Sequence, residues 1–288
     1  MPELPEVETV RRTLEPSLLG RRIDRAAIVD GRLTRPVEPE VVAAELVGER
    51  IAPLERRGKY LVVRFESGRA LLVHLRMTGS FRWSADGALE EDPYRRAVVT
   101  LDDGSAVGYR DVRRFGTWLL LDRDEIEPYL AVRLGPEPFD EEFTPRFLRG
   151  RLDGRRAPLK AALLDQRTVA GLGNIYADEA LWRAAIHPRR EAGSVRPAEI
   201  TRVHAALREA LEAGIARQGS TLRDYRRPDG ATGSMQDEFK VYGRLDEPCD
   251  RCGTPIERIV VGGRGTWYCP SCQRLGRARR RPTPAAQG

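Results

Sequence analysis

Four cysteines confined to residues 249–272 constrain this chain more than any other feature. They stand as Cys249-x2-Cys252-x16-Cys269-x2-Cys272. Each pair can place two thiolates on one tight turn, and two such pairs complete a tetrahedral, all-thiolate Zn²⁺ site. Four thiolates leave no position open for water, so the one Zn²⁺ expected here is structural. Between the pairs, Ile256, Ile259, Val260 and Val261 run into Gly262-Gly263 and then Thr266-Trp267-Tyr268. That pattern predicts a β-hairpin finger with Arg264 just past its tip. Cysteines used only in this way speak for metal rather than for the disulfides of a small secreted chain.

The rest of the chain reads in segments. After Pro5, the residues Val7, Val10, Leu14 and Leu18 recur at helical spacing. Short β-like runs follow at 60–65, 70–75, 97–101 and 116–121, with turn signals such as Glu66-Ser67-Gly68 and Asp102-Asp103-Gly104 between them. This predicts an antiparallel sandwich or barrel. The stretch Leu134-Gly135-Pro136-Glu137-Pro138 reads as a linker, and helical periodicity takes over at 144–150, 157–165, 174–185 and 197–218. Residues 226–238, polar and carrying Pro228, Gly230 and Gly233, predict a mobile loop. The tail from 277 to 288, with Arg279-Arg280-Arg281, is expected to be basic and disordered. The expected fold is α+β and multi-domain. Its parts are an N-terminal β-sandwich (1–133), a helical unit (134–238), a zinc finger (239–276) and the tail.

A net charge of +6 and a pI near 9.4 hint at a polyanionic partner such as nucleic acid. No apolar run approaches the roughly 18 residues of a membrane span. The acidic, Pro-rich start MPELPEVE is unlike a secretory signal. A soluble, cytoplasmic protein without a membrane partner is expected. Lysine occurs only at 59, 160 and 240, which limits any chemistry that needs an ammonium to three candidates.

The N-terminus offers a nucleophile. Removal of Met1 would expose the secondary amine of Pro2 beside Glu3 and Glu6 at a helix start. An α-amine has a reference pKa near 8, and the positive end of a helix favours its neutral form further. A neutral amine of this kind can attack a sugar C1′ and form an iminium. The same residues also suit an ordinary helix start, where Pro and Glu are common. Further on, Gly171-Leu172-Gly173-Asn174 precedes a predicted helix, an arrangement whose free amides can bind phosphate.

Taken in order, the segments resemble the formamidopyrimidine-DNA glycosylase family. The resemblance rests on PELPEVETVRR at 2–12, RRGKYL at 56–61, HLRMTG at 74–79 and DVRRFG at 111–116. It continues through DQRTVAGLGNIYADEALW at 165–182, EFKVYGR at 238–244 and RGTWYCPSCQR at 264–274. It implies a β-sandwich, a helix–two-turn–helix unit and a zinc hairpin that together clamp duplex DNA containing a damaged base. The implied activity is excision of oxidised purines such as 8-oxoguanine and formamidopyrimidines, followed by lyase cleavage of the abasic site, by a monomer active at the bacterial nucleoid.

The resemblance also implies roles. Pro2 would be the nucleophile, Glu3 the acid–base group and Glu6 a support from the same helix start. Lys59, His74, Asn174 and Arg264 would hold phosphates, with Arg264 also assisting the second elimination. Met77, Arg113 and Phe115 would fill the vacated stack, Arg113 reading the orphaned cytosine. The loop at about 220–236 would cover the extruded base, although Asp229-Gly230-Ala231-Thr232-Gly233 lacks the lysine that some members carry after the glycine. Three readings compete: an endonuclease VIII-like enzyme for oxidised pyrimidines, a lesion-binding protein without chemistry, and an unrelated zinc-ribbon protein of nucleic-acid metabolism. The combination of Met77 with Arg113 and Phe115 favours purines.

Overall fold

The computed structural model describes residues 2–222 and 225–275. Met1, residues 223–224 and the tail expected at 277–288 lie outside them. The chain opens with helix α1 (Leu4–Leu18), which has Pro5 in its first turn, where the missing amide is no loss. Its buried stripe of Val7, Val10, Leu14 and Leu18 faces two four-stranded antiparallel sheets. One sheet has the order β1 (Ile23–Ile28), β6 (Arg95–Leu101), β7 (Ala106–Arg110), β5 (Ser80–Ser84). The other has the order β2 (Ile51–Arg57), β3 (Tyr60–Phe65), β4 (Ala70–His74), β8 (Thr117–Leu121). Leu61, Phe65, Leu71 and Val73 of the second sheet meet Phe81, Val99, Leu101 and Tyr109 of the first in a single core.

Burial on both faces explains why a strand such as β4 was visible in the sequence. Every residue of β4 is buried, because Leu71 and Val73 face the sandwich core while Ala70 and Leu72 face Ile126 and Leu130 of α3 (Arg123–Ala131). A strand covered on both faces reads as a continuous apolar run. Strands β1, β2, β5 and β7, and the helix α2 (Pro39–Leu46), have no counterpart among the sequence-based segments. Ile23-Asp24-Arg25 and Ser80-Phe81-Arg82 carry too few apolar residues to stand out; their pairing in the first sheet makes them strands.

The helical unit comprises α4 (Pro145–Leu152), α5 (Leu159–Leu163), α6 (Asn174–Arg183) and α7 (Pro197–Ala216), around a separate core that includes Leu148, Leu163, Tyr176, Leu181, Val203 and Leu207. Helices α6 and α7 approach closely at Gly214, where an added Cβ would lie 2.5 Å from the Tyr176 ring. The finger is a hairpin of β9 (Glu257–Val261) and β10 (Arg264–Tyr268), turned by Gly262-Gly263, both at positive φ. Among the described residues no helix is long and apolar enough to cross a membrane.

Candidate active site and nucleic-acid interface

Pro2, Glu3, Glu6 and Lys59 are all buried where the sandwich meets the helical unit. The start of α1 is pinned across that junction: the Leu4 amide donates to the Gly171 carbonyl at 3.1 Å, and the Ile175 amide donates to Glu3 Oε1 at 3.0 Å. The second bond uses one of the free amides at the start of α6. Gly173 makes it possible, since a Cβ there would lie 2.1 Å from Glu3 Cδ. Among the described residues Glu3 Oε2 has no hydrogen-bond partner. Burial raises the Glu3 carboxyl above its usual range, and the charge of Lys59 opposes that rise. Burial likewise lowers the Lys59 ammonium, with Glu3 opposing. At both groups burial disfavours the charged form while the opposite charge of the partner favours it.

Lys59 is 6% exposed although its neighbours form a strand-connecting turn. The turn is folded inward: the Gly58 amide donates to Glu137 Oε1 at 2.5 Å, and Arg56 joins Glu137 at 2.6 Å to Glu8 of α1 at 3.3 Å. Glu6 is the other fixed point. Its Oε2 accepts the Glu3 amide at 2.8 Å, and its Oε1 accepts the Tyr176 hydroxyl at 2.8 Å and the Ser220 amide at 2.7 Å. The Tyr225 hydroxyl donates to the Glu6 carbonyl at 3.1 Å. One carboxylate thus joins α1, α6 and Ser220.

The loop expected to be mobile, 226–238, follows Tyr225. Residues 225–238 hold no strand or α-helix, only a 3₁₀ turn at Met235–Glu238, yet they are hydrogen-bonded along their length. Met235 N donates to the Gly219 carbonyl at 3.0 Å, the Trp83 amide to the Pro228 carbonyl at 3.2 Å, and Arg82 to the Arg227 carbonyl at 2.8 Å.

His74 ends β4, buried, with its ring edge-on to Tyr60. Burial, reinforced by Arg76 and Lys59, depresses its pKa to about 3, so it is neutral. The Arg76 amide donates to Nδ1 at 3.0 Å, which places the ring proton on Nε2. Met77 and Phe115 are 38% and 50% exposed, loop positions rather than core ones. Arg113 is also exposed, its guanidinium 4.8 Å from the centre of the Phe115 ring.

Asn174 opens α6 and donates to the Gly265 carbonyl at 3.0 Å, leaving Oδ1 without a partner among the described residues. Arg264, exposed, is the first residue of β10. Helix α6 therefore touches both Glu3 and the finger. Sequence reasoning missed how it holds the finger. Lys160, fully buried, lies 2.7 Å from Asp178 and donates to the Gly265 carbonyl and to Thr266 Oγ1 at 3.1 and 2.8 Å. Asp178 also accepts the Trp267 amide at 3.1 Å. Burial pushes the Asp178 carboxyl up to about 7, with Lys160 opposing. Glu179 accepts the successive amides of Lys240, Val241 and Tyr242 at 3.0–3.1 Å. The only signal available was a pair of acids on an otherwise apolar helix.

The four cysteine sulfurs lie within 4.8 Å of one another. The separations of 3.5, 3.5 and 4.0 Å for Cys252–Cys269, Cys252–Cys272 and Cys249–Cys272 bracket the tetrahedron edge of roughly 3.8 Å that Zn–S bonds of about 2.3 Å require. Trp182 donates its indole N–H to Cys249 Sγ at 3.4 Å, the kind of outer contact that orients a thiolate ligand. These residues fit a structural Zn²⁺, and its chemistry is to hold the hairpin together.

Comparison with known proteins agrees over about 95% of the chain. Residues 1–118 match the formamidopyrimidine-DNA glycosylase N-terminal domain, 134–226 the H2TH domain of the same family, and 246–275 the zinc finger found in FPG and IleRS. The chain is 49% identical over 275 residues to a formamidopyrimidine-DNA glycosylase of Symbiobacterium thermophilum, covering 95% of this chain and 89% of that one. Its structure is similar to MutM (FPG) of Thermus thermophilus, with TM-score 0.86, 45% identity and coverage of 96% and 100% of the two chains. It is equally similar to a mutant Lactococcus lactis FPG in complex with Fapy-dG containing DNA, with TM-score 0.88, 41% identity and coverage of 95% and 100%.

Proposed function

The chain belongs to the formamidopyrimidine-DNA glycosylase family of DNA repair glycosylases and abasic-site lyases for oxidised purines, and on that premise we propose that Pro2 is its nucleophile. The observation that carries this reading is the buried junction of Pro2, Glu3 and Lys59, with Glu3 Oε2 left without a partner. The Pro2 nitrogen, free once Met1 is removed, forms a bond to the sugar C1′ as the bond to the damaged base breaks. The base leaves with the bonding pair and takes up a proton. Glu3, its carboxyl raised by burial toward the acid form, gives its proton to the sugar ring oxygen as the ring opens to the iminium.

The iminium acidifies C2′. Loss of a C2′ proton expels the 3′ phosphate, and a second elimination through C4′ expels the 5′ phosphate. Arg264, beside Lys59 and Lys160 in charge, is assigned to the departing phosphate, with Lys59, Asn174 and the Nε2–H of His74 on the lesion's backbone. Glu6 holds the helix start. Met77, Arg113 and Phe115 enter the stack, Arg113 facing the orphaned cytosine. The loop at 220–236 covers the extruded base. Domain limits of 1–133, 134–238 and 239–276 are assigned because each core is drawn mainly from one stretch, with Leu4, Trp182, Tyr225 and Phe239 packing across the limits. The partner is duplex DNA with a damaged base.

Borohydride trapping on a duplex carrying 8-oxoguanine opposite cytosine tests the reading. A covalent adduct mapping to Pro2, lost in Pro2→Gly and Glu3→Gln, supports it. A protein with Pro2 verified as its first residue that binds the duplex and yields no adduct refutes it. An oxidised-pyrimidine duplex run alongside separates the alternative specificity.

A further inference from the structure

The two turns that carry Met77 and Arg113–Phe115 come from different strand connections, yet one buried carboxylate fastens them together. Asp111, 1% exposed, accepts the hydroxyl of Thr78 and the amide of Arg113 through Oδ1, and the amide of Gly116 through Oδ2 at 2.7 Å. Thr78, itself buried, completes the link, because its Oγ1 also accepts the Arg113 amide at 3.0 Å. The hydroxyl of Thr78 therefore bridges the residue next to Met77 and the backbone from which Arg113 projects.

The clamp has a floor. Tyr109 is fully buried beneath both turns, and a Cβ on either Gly79 or Gly116 would come within 2.4 Å or 2.0 Å of its hydroxyl. Both turns also contain a non-glycine residue at positive φ, Arg76 at 51° and Arg114 at 58°, conformations that a surrounding structure must impose. For Arg114 the restraint is a two-pronged ion pair with the buried Asp30, at 2.7 Å on each prong. Strained backbone, a buried carboxylate spanning two turns and an exposed apolar tip on each turn thus meet at one place.

We propose that Thr78 and Asp111 are positioning residues that lock the Met77 turn and the Arg113–Phe115 turn into one preassembled wedge. Filling the gap left by the extruded base and reading the orphaned base are then a single event, because neither turn moves without the other. The proposal rests on the assignment of Met77, Arg113 and Phe115 to the vacated stack. Rigid positioning of the reading group is what makes a wrong opposite base costly, since a loose arginine could re-aim toward it.

The test is the ratio of 8-oxoguanine excision opposite cytosine to that opposite adenine, measured in single turnover for wild type, Thr78→Val and Thr78→Ser. Valine keeps the shape and deletes the hydroxyl, while serine restores it. Cleavage of a preformed abasic site serves as the reference for each protein. Thr78→Val should lower the ratio about tenfold relative to wild type, with a smaller change on the abasic site, and Thr78→Ser should recover it to within about twofold. An unchanged ratio in Thr78→Val overturns the clamp. So does an equal loss on all substrates, which would mark a general structural role, or a failure of serine to rescue. A wild-type enzyme that excises the base without distinguishing its partner overturns the assignment of Arg113, and the clamp with it.

Discussion

Replacing Gly173 by alanine would show whether the Glu3 carboxyl must sit where it does. Gly173 has φ −130° and ψ −163°, extended backbone open to any residue, so alanine adds no backbone strain. Its methyl would lie 2.1 Å from Glu3 Cδ and 2.4 and 2.5 Å from the two carboxyl oxygens. The carboxyl must retreat by roughly 1 Å, and misplacement of that size in a reacting group costs on the order of 10²-fold in rate. The Ile175 amide would also lose its partner, at a cost of about 1–3 kcal/mol for an unsatisfied buried donor. That corresponds to several degrees in Tm for a chain of this size. Base release from an 8-oxoguanine·cytosine duplex in single turnover, borohydride adduct yield and a thermal melt would be measured together. Gly150→Ala is the control: no atom lies within 4 Å of the added methyl, and it sits inside α4, where alanine is the better helix former. A Gly173→Ala protein with the wild-type rate would refute the placement of Glu3 as the acid.

Two further outcomes follow from the same geometry. His74 has a folded pKa of about 3 against an unfolded value near 6.5, so its contribution is complete above pH 6.5 and is lost as pH falls toward 3. Urea unfolding should therefore show wild type losing up to about 2 kcal/mol more than His74→Phe between pH 7.5 and pH 5, and equal losses would exclude the buried neutral imidazole. Chelation of the zinc should unfold the hairpin and weaken DNA binding, with a change in tryptophan fluorescence because Trp182 bonds Cys249 and Trp267 packs beside it. A protein that releases its metal and keeps both signals would show that the finger folds without it.

The parts of this molecule that were legible in the sequence are those whose chemistry is local. Two Cys-x2-Cys turns declare a thiolate site because each turn is only four residues long, and any chain able to bring them together completes the tetrahedron. Helix α1 was visible from the spacing of Val7, Val10, Leu14 and Leu18, and strand β4 from its unbroken apolar run. The candidate residues Pro2, Glu3, Lys59, Met77, Arg113 and Phe115 were found because their motifs resemble those of a family, not because spacing alone demanded a role. What only the tertiary structure decided lies in pairings far apart in the chain: Glu3 with Ile175, Glu6 with Ser220, Lys160 with Thr266, Glu179 with the amides at 240–242. A carboxylate or an ammonium in a sequence carries no mark of whether it will be solvated or buried. Its charge state and its reach are fixed by the low-dielectric surroundings and the fixed donors that folding brings to it, and those come from segments up to 214 residues away.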